Sequence, residues 1–289
     1  MRFLEGGSFA MGSDDHYPEE APVRTVDVDP FWIDTTPVTN AEFGRFVEDS
    51  GYVTRAERVP DPADYPGLDP ADAKPGSIVF VRPRRGAGPV GPQHWWKFVL
   101  GADWRKPYGP THPARALDSH PVVHIALPDA LAYAQWAGKS LPSEAEWEFA
   151  ARGGLSGRSY AWGDELAPDG RQMANYWMRG FPYKIGTRRN AVLTTPVGRF
   201  PENGFGLSDM IGNVWEWTGD DYRDQRPNNP CCSSHAEGKH SAQARKVLKG
   251  GSHLCAPEYC RRYRPAARHA QPADSGTTHI GFRCIIRAA

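Results

Sequence analysis

The sequence has few cysteines for its length and no long apolar run. Five cysteines in 289 residues are too few for a scaffold built on disulfides, and a chain of this length buries a sufficient core without them. No window approaches the roughly 18 apolar residues of a membrane helix. The opening MRFLEGGSFAMGS lacks the basic region and apolar run of a signal peptide. We therefore expect a soluble protein of a reducing cytoplasm, with no membrane partner.

The chain also lacks an excess of charge of either sign. Lys plus Arg and Asp plus Glu each number 34, so net charge gives no reason to expect a nucleic-acid partner. Glycine and proline are instead abundant, at 30 and 27 residues. Both interrupt regular structure, which predicts a loop-rich fold of short elements.

Local signals predict three helices. TNAEFGRFVEDSGY begins at the N-cap Thr39, carries Glu42 for a capping box, and stops at Gly51. PSEAEWEFAARGG repeats this pattern from Ser143 to Gly153. PDALAYAQWAG, between them, is predicted to be helical up to its glycine.

The remaining segments are predicted to be short strands and turns. SIVFV is the one strand expected between residues 56 and 120, where HWWKF and ADWRKP are expected to anchor long surface loops. No composition shift marks a boundary. We therefore predict a single α+β domain over residues 1–289, irregular and loop-rich.

Two cysteines stand out within KGGSHLCAPEYCRRYR. Cys255 and Cys260 are five positions apart and are open to four interpretations: a disulfide, a structural metal site, a redox pair, or two buried thiols. A structural zinc site usually needs a second cysteine or histidine pair, whereas the other cysteines are the adjacent Cys231 and Cys232 and the distant Cys284. Two thiolates suit a low-coordinate Cu(I), which leaves a position open for a substrate thiolate.

The cysteine motif lies in an ordered series of motifs. GGSFAMGS, PVTNAEFGRFV, LPSEAEWEFAARGG, NGFGLSDMIGNVWEWTGD, GGSHLCAPEYCRRYR and HIGFRC follow one another over about residues 5 to 285. The series resembles the formylglycine-generating enzymes, or sulfatase-modifying factors. The resemblance implies a fold distantly similar to C-type lectins. It also implies an oxidoreductase that uses Cu(I) and O2 to convert the cysteine of a C-x-P-x-R sequence in a sulfatase into Cα-formylglycine, as a post-translational modification.

The same resemblance assigns roles around the cysteines. Ser252 and Tyr259 match polar active-site positions, and Trp215 matches a tryptophan that lines the site. His279 stands where related enzymes carry asparagine, and it is expected to contact substrate together with Arg262. From the residues alone, Ser252 could equally cap a turn and Tyr259 could pack.

A calcium site is expected in SDMIGNVWE. Asp209 and Glu216 would supply carboxylates, and Met210, Gly212 and Val214 would supply backbone carbonyls, which are the oxygen ligands that calcium prefers. The alternative is an acidic turn in solvent.

The resemblance implies a second calcium site at Asn175 and the carbonyl of Tyr176. Arg188 and Arg189 stand in the following loop where an acidic residue is expected, which argues against this site.

Exported relatives carry disulfides that this chain lacks. Ala134, Ala151 and Pro265 occupy matching positions and leave Cys284 without a partner, which fits the expected cytoplasmic location. The expected partner is an unfolded or nascent sulfatase polypeptide, bound by a monomer. Two other functions stay open: a non-catalytic paralogue that binds sulfatases or glycans, and a thiol–disulfide oxidoreductase that uses the cysteine pair.

Overall fold

Three α-helices lie among short strands. The computed structural model describes residues 1–61, 67, 69–83, 91, 94–112, 116–183, 194–223 and 245–288. The helices are α1 (Asn40–Ser50), α2 (Leu127–Trp136) and α3 (Glu144–Arg152). Single 3-10 turns lie at Pro18–Glu20, Arg55–Glu57, Pro70–Asp72 and Pro168–Gly170.

The predicted ends of α1 and α3 are confirmed. Thr39 and Ser143 each accept a hydrogen bond from the backbone N–H three residues on, and a glutamate side chain returns to the cap in both capping boxes. Gly51 and Gly153 end the two helices in the left-handed conformation, which costs glycine little. The helix α2 ends at Trp136, close to the predicted glycine stop.

The described strands form four small sheets. They are β1 (Arg2–Leu4), β2 (Gly7–Met11), β3 (Arg24–Val28), β4 (Phe31–Ile33), β5 (Gly76–Phe80), β6 (Trp96–Leu100), β7 (Trp215–Asp221), β8 (Arg245–Lys249), β9 (Arg268–Pro272), β10 (Ile280–Gly281) and β11 (Ile285–Arg287). The orders are β1-β4-β11, β10-β7-β8-β9, β2-β3 and β5-β6. Only the β10–β7 pairing among them is parallel.

The assignment of HWWKF to a loop was wrong. These residues lead into β6, which pairs antiparallel with β5 and sets Phe80 opposite Trp96. Phe98 and Leu100 of β6 are exposed. The strand therefore does not show the alternation of buried apolar and exposed polar residues by which strands are predicted.

Buried ion pairs fix the strand that precedes the cysteine motif. Lys249, at the end of β8, is fully buried and lies 2.9 Å from Glu148 of α3. Glu148 also pairs with Arg152 at 2.6 Å, and Glu144 pairs with Arg268 of β9 at 2.8 Å. Because removing one partner of such a pair leaves an uncompensated buried charge, these contacts hold α3 firmly on the β8–β9 strands.

The predicted fold class is confirmed as a loop-rich α+β structure. One large cluster of buried hydrophobic residues contacts α1, α2, α3 and the β7–β8 region. None of the described helices is long and apolar enough to cross a membrane.

Candidate active site

Two glycines carry the chain out of β8 into the cysteine loop. Gly250 and Gly251 both have positive φ, at 90° and 70°. A Cβ on Gly250 would lie 2.8 Å from the carbonyl oxygen of Met210, and one on Gly251 would lie 2.4 Å from that of Arg262. Glycine is therefore required at both positions, since the loop folds back against its own second half.

Two turns bring the cysteines together. The N–H of Cys255 donates to the carbonyl of Ser252 at 2.9 Å, and the N–H of Cys260 donates to the carbonyl of Ala256 at 2.9 Å. The two sulfur atoms lie 3.5 Å apart, and neither cysteine is in a disulfide. Cys255 is buried and Cys260 is half-buried. The structure thus shows two adjacent free thiols, one of them within reach of a ligand from outside.

The two thiols have opposite acidities. Hydrogen bonding to the Cys260 sulfur, together with burial, raises the pKa of Cys255. The hydrogen bond from Cys255, followed by contacts with Arg262, lowers the pKa of Cys260 to about 6. The Nη1 of Arg262 donates to the Cys260 sulfur at 3.8 Å. Cys260 is therefore the more acidic thiol of the pair, because Cys255 and Arg262 both lie against its sulfur.

Arg262 is held on its other side by the N-terminal part of the chain. Its Nε and Nη2 both donate to Glu19, at 3.2 and 2.5 Å, and its guanidinium lies 4.0 Å from the ring centroid of Tyr17. With the donation of Nη1 to Cys260, all three guanidinium nitrogens thus have a partner within the chain. The predicted contact of Arg262 with substrate stays a prediction, and its observed contact is with Cys260. Arg261 is exposed and donates to the Pro257 carbonyl.

An aromatic surface adjoins the cysteines, formed by Trp96, Phe181 and Tyr259 over the buried Trp95. The Tyr259 ring stacks on Phe181 with centroids 4.8 Å apart and meets Trp95 edge-on at 5.1 Å. Half of Tyr259 is exposed. Beneath these rings lies a small buried cluster that includes Leu254 and Ala256, the neighbours of Cys255. The cysteine loop and the aromatic surface therefore form one continuous region.

Ser252 has a structural role in the turn. It is fully buried, and its Oγ accepts a hydrogen bond from the N–H of Leu254 at 3.2 Å. Its own N–H donates to the Cys255 sulfur at 3.5 Å. These contacts orient Cys255, while the predicted part of the Ser252 hydroxyl in the chemistry stays a prediction.

His279 lies beside the aromatic surface, and Trp215 lies in the core. The half-buried His279 ring is 4.9 Å from the ring of Trp96, and its Nδ1 is 2.6 Å from the Oγ1 of Thr277. Trp215 is 4% exposed and packs on His269, with centroids 5.7 Å apart. His279 is thus partly accessible, whereas most of the Trp215 ring is not.

The predicted calcium ligand Glu216 is occupied by other partners. Its Oε1 and Oε2 accept from Arg283 at 2.8 Å each, and its Oε2 also accepts from the indole N–H of Trp147 at 2.7 Å. All three side chains are fully buried. The observed partners of this carboxylate are therefore Arg283 and Trp147, and its predicted role as a calcium ligand stays a prediction.

Asp209, the other predicted carboxylate, has an oxygen without a partner. Its Oδ2 accepts from the N–H of Gly198 at 2.7 Å, whereas its buried Oδ1 has no hydrogen-bond partner. Burial raises the pKa of this carboxyl to about 6. A cavity of about 20 Å³ adjoins Asp209, Met210 and Ile211. The unpartnered Oδ1 of Asp209 therefore needs either a bound cation or a proton on the carboxyl group.

The second predicted calcium site is only partly described. The amide of Asn175 donates to the Oδ1 of Asn213 at 3.1 Å, and the buried ring of Tyr176 stacks on Tyr263 at 4.7 Å. Arg188 and Arg189 lie outside the described residues, as do Cys231 and Cys232.

Sequence reasoning missed the Glu19 and Tyr17 contacts and the aromatic surface. The adjacent tryptophans of HWWKF were the available signal for the latter. Across the described ranges, no group of three or more His, Cys, Asp or Glu side chains is arranged to hold a metal ion. Within the described residues, an ion at the cysteine loop would accordingly have two protein ligands, the thiolates of Cys255 and Cys260.

Comparison with known proteins places the whole chain in one family. Residues 1–288 match the model of the sulfatase-modifying factor enzyme 1-like domain. The formylglycine-generating enzyme of Mycobacterium tuberculosis is 54% identical, over 98% of this chain and 96% of that protein. The corresponding enzyme of Streptomyces coelicolor is 45% identical, over 97% and 87%. The inactive C-alpha-formylglycine-generating enzyme 2 of Mus musculus is 37% identical, over 100% and 86%.

Solved structures agree on the fold. PvdO from Pseudomonas aeruginosa superposes with a TM-score of 0.65 at 23% identity, covering 99% of this chain and 93% of its own. Treponema denticola variable protein 1 gives a TM-score of 0.60 at 18% identity, covering 100% and 95%. These likenesses show the architecture alone. From the family match and the sequence identities, the chain belongs to the sulfatase-modifying factor family, which contains formylglycine-generating enzymes and also inactive relatives of them.

Proposed function

We propose that this protein oxidises the cysteine of a C-x-P-x-R sequence in a sulfatase to Cα-formylglycine, with O2 as oxidant and Cu(I) held by Cys255 and Cys260. The observation that carries the proposal is the pair of unbridged sulfur atoms 3.5 Å apart. A scaffold that only binds sulfatases or glycans has no need of such a pair. The proposed reaction is that of the relatives of this protein that are named formylglycine-generating enzymes.

The cysteine pair fits Cu(I). Thiolates are soft ligands, and two of them leave a cuprous ion with an open position. Cys260 is half-buried and Cys255 is buried, so one side of the pair is open to a third thiolate. Bound Cu(I) would supply the centre at which O2 is reduced while the substrate cysteine is oxidised.

The residues of the chain position the substrate. The substrate CH2–SH group gives two electrons and two protons to O2, which becomes hydrogen peroxide, and the group itself becomes a thioaldehyde. Water then adds to the carbon, and hydrogen sulfide leaves to give the aldehyde. The aromatic surface offers an apolar wall for an extended peptide beside Cys260. The Arg262 guanidinium, 3.8 Å from the Cys260 sulfur, stabilises negative charge there. Ser252 keeps Cys255 in its turn.

Calcium is proposed as a structural ion at Asp209. The unpartnered buried Oδ1 supports this placement, with the backbone carbonyls of Met210, Gly212 and Val214 as further oxygen ligands. Glu216 is left out of this set because it is bound to Arg283 and Trp147. The cytoplasmic location and the monomeric state stay predictions.

A peptide assay tests the function. Purified, Cu(I)-loaded protein is incubated in air with a C-x-P-x-R peptide, and the product is followed by mass and by capture with a hydroxylamine reagent. The proposal requires aldehyde from the wild-type protein, and none from Cys255→Ser, Cys260→Ser or a peptide with serine in place of cysteine. Tight peptide binding with no product would indicate a non-catalytic paralogue. Metal-independent exchange with small disulfides would indicate an oxidoreductase of the thiol–disulfide type.

A further inference from the structure

The segment Tyr17–Glu20 lies against the second half of the cysteine motif. The Tyr17 hydroxyl accepts a hydrogen bond from the backbone N–H of Arg261 at 3.1 Å, and the Tyr17 ring lies under the Arg262 guanidinium. Glu19 accepts from two nitrogens of the same guanidinium. The segment is thus in contact with the residues that directly follow Cys260.

This segment is anchored without the help of Arg262. Glu20 and Arg264 are both 1% exposed and form a two-fold hydrogen-bonded ion pair, at 2.5 and 2.6 Å. The backbone of Glu20 also accepts from the N–H of Ser13 at 3.2 Å. Glu19 therefore projects from a fixed backbone, whereas Arg262 is a long side chain with many rotamers.

Glu19 determines where the Arg262 donors point. With Nε and Nη2 bound to Glu19, Nη1 remains to donate to the Cys260 sulfur at 3.8 Å. The planar guanidinium makes these directions interdependent, because its donors form a rigid fork. The side chains of Glu19 and Arg262 are 20% and 24% exposed, so without Glu19 water would compete for the guanidinium.

We propose that Glu19 is a positioning residue for the cysteine pair: it holds Arg262 in the orientation that donates to Cys260, and through Arg262 it strengthens the binding of a soft metal ion there. Tyr17 supports the same orientation by stacking. The inference rests on the proposed function for its metal, Cu(I), but it concerns Glu19 and Tyr17, to which no sequence motif pointed.

A double-mutant cycle tests the proposal. Cu(I) affinity is measured anaerobically on the full chain by competition with a chromophoric Cu(I) chelator, for wild type, Glu19→Gln, Arg262→Met and the double variant. We expect Glu19→Gln to weaken Cu(I) binding about 10-fold, because an amide oxygen accepts from the guanidinium more weakly than a carboxylate does. In the Arg262→Met background, Glu19→Gln should have no further effect, because its action passes through Arg262.

Controls separate this inference from a folding defect and from the proposed function. Glu5→Gln removes the same charge from an exposed site and should bind as wild type does, and all variants should keep the wild-type thermal midpoint within a few degrees. Binding by Glu19→Gln that equals or exceeds that of wild type overturns this inference alone. An equal loss in both backgrounds overturns it as well. Failure of wild type to bind Cu(I) overturns the proposed cofactor and this inference together.

Discussion

The sulfur atom of Cys260 lies 3.5 Å from that of Cys255 and 3.8 Å from the Nη1 of Arg262. The first distance is too long for a disulfide, whose sulfurs are about 2 Å apart. Cys260 thus receives hydrogen bonds from two sides, which is the reason for its low pKa. The same arrangement favours the binding of a soft metal ion by the two sulfur atoms.

The reactivity of Cys260 in metal-free protein should be high at neutral pH. Because its pKa is lowered to about 6, the thiolate is present above that pH and is lost as the pH falls through it. We expect the rate of iodoacetamide alkylation at Cys260 to level off near pH 7 and to fall below pH 6, with Cys255 modified more slowly. Mass spectrometry of the modified peptides over a pH series measures both rates. A rate at Cys260 that rises only above about pH 8, as for an ordinary thiol, would contradict the assigned contacts.

Asp209 should make stability depend on pH and on calcium. Its folded-state pKa of about 6 exceeds the usual value, so the folded protein holds a proton that the unfolded chain has lost. Stability should therefore fall as the pH rises from about 4 to 6, by at most about 3 kcal/mol. Asp209→Asn should flatten that dependence in chemical denaturation.

Calcium should reverse this loss at neutral pH by binding the ionised Asp209 carboxylate. We expect millimolar calcium to raise the thermal midpoint of wild type at pH 7.5 and to leave that of Asp209→Ala unchanged. A wild-type midpoint that is the same in calcium and in EGTA would show that Asp209 is only a buried acid.

Breaking the Glu216–Arg283 pair by removing one partner should destabilise the fold strongly. Both side chains are fully buried and are joined by two hydrogen bonds of 2.8 Å. Glu216→Gln leaves the guanidinium buried without a counter-charge, and we expect a loss of about 3–5 kcal/mol in the free energy of unfolding. Asp164→Asn, which breaks the exposed pair with Arg158, is the matched control and should leave the urea midpoint unchanged. Similar effects of the two variants would refute the role given to Glu216.

Tyr259 should act on peptide binding through its ring. The ring stacks on Phe181 and is half exposed at the aromatic surface. We expect Tyr259→Ala to raise the KM for a C-x-P-x-R peptide about 5-fold, in line with an aromatic contact of roughly 1 kcal/mol. Tyr259→Phe should stay within about twofold of wild type in both kcat and KM. A large fall in kcat for Tyr259→Phe would instead assign the hydroxyl to the chemistry.

The elements that sequence reasoning predicted well are those with local causes. The capping boxes at Thr39 and Ser143 and the glycines that end these helices are signals within one short segment. The strand β6 escaped prediction because Phe98 and Leu100 face solvent.

The contacts that sequence reasoning missed join residues far apart in the chain. Glu19 and Arg262 are 243 positions apart, and Glu216 and Arg283 are 67 apart. Nothing near Glu216 in the sequence shows that the guanidinium of Arg283, between β10 and β11, pairs with it. Charge partners of this kind become visible only when the fold brings the two segments together.

Copper stoichiometry tests the central claim most directly. Purified wild type, Cys255→Ser, Cys260→Ser and Cys284→Ala are loaded anaerobically with Cu(I), desalted, and measured for copper per chain. Cys284 is a buried free cysteine outside the loop, so its variant controls for nonspecific thiol binding. The account predicts about one copper per chain for wild type and Cys284→Ala, and almost none for either variant of the pair, as two soft ligands are needed together. Equal copper content in wild type and in the two pair variants would contradict it.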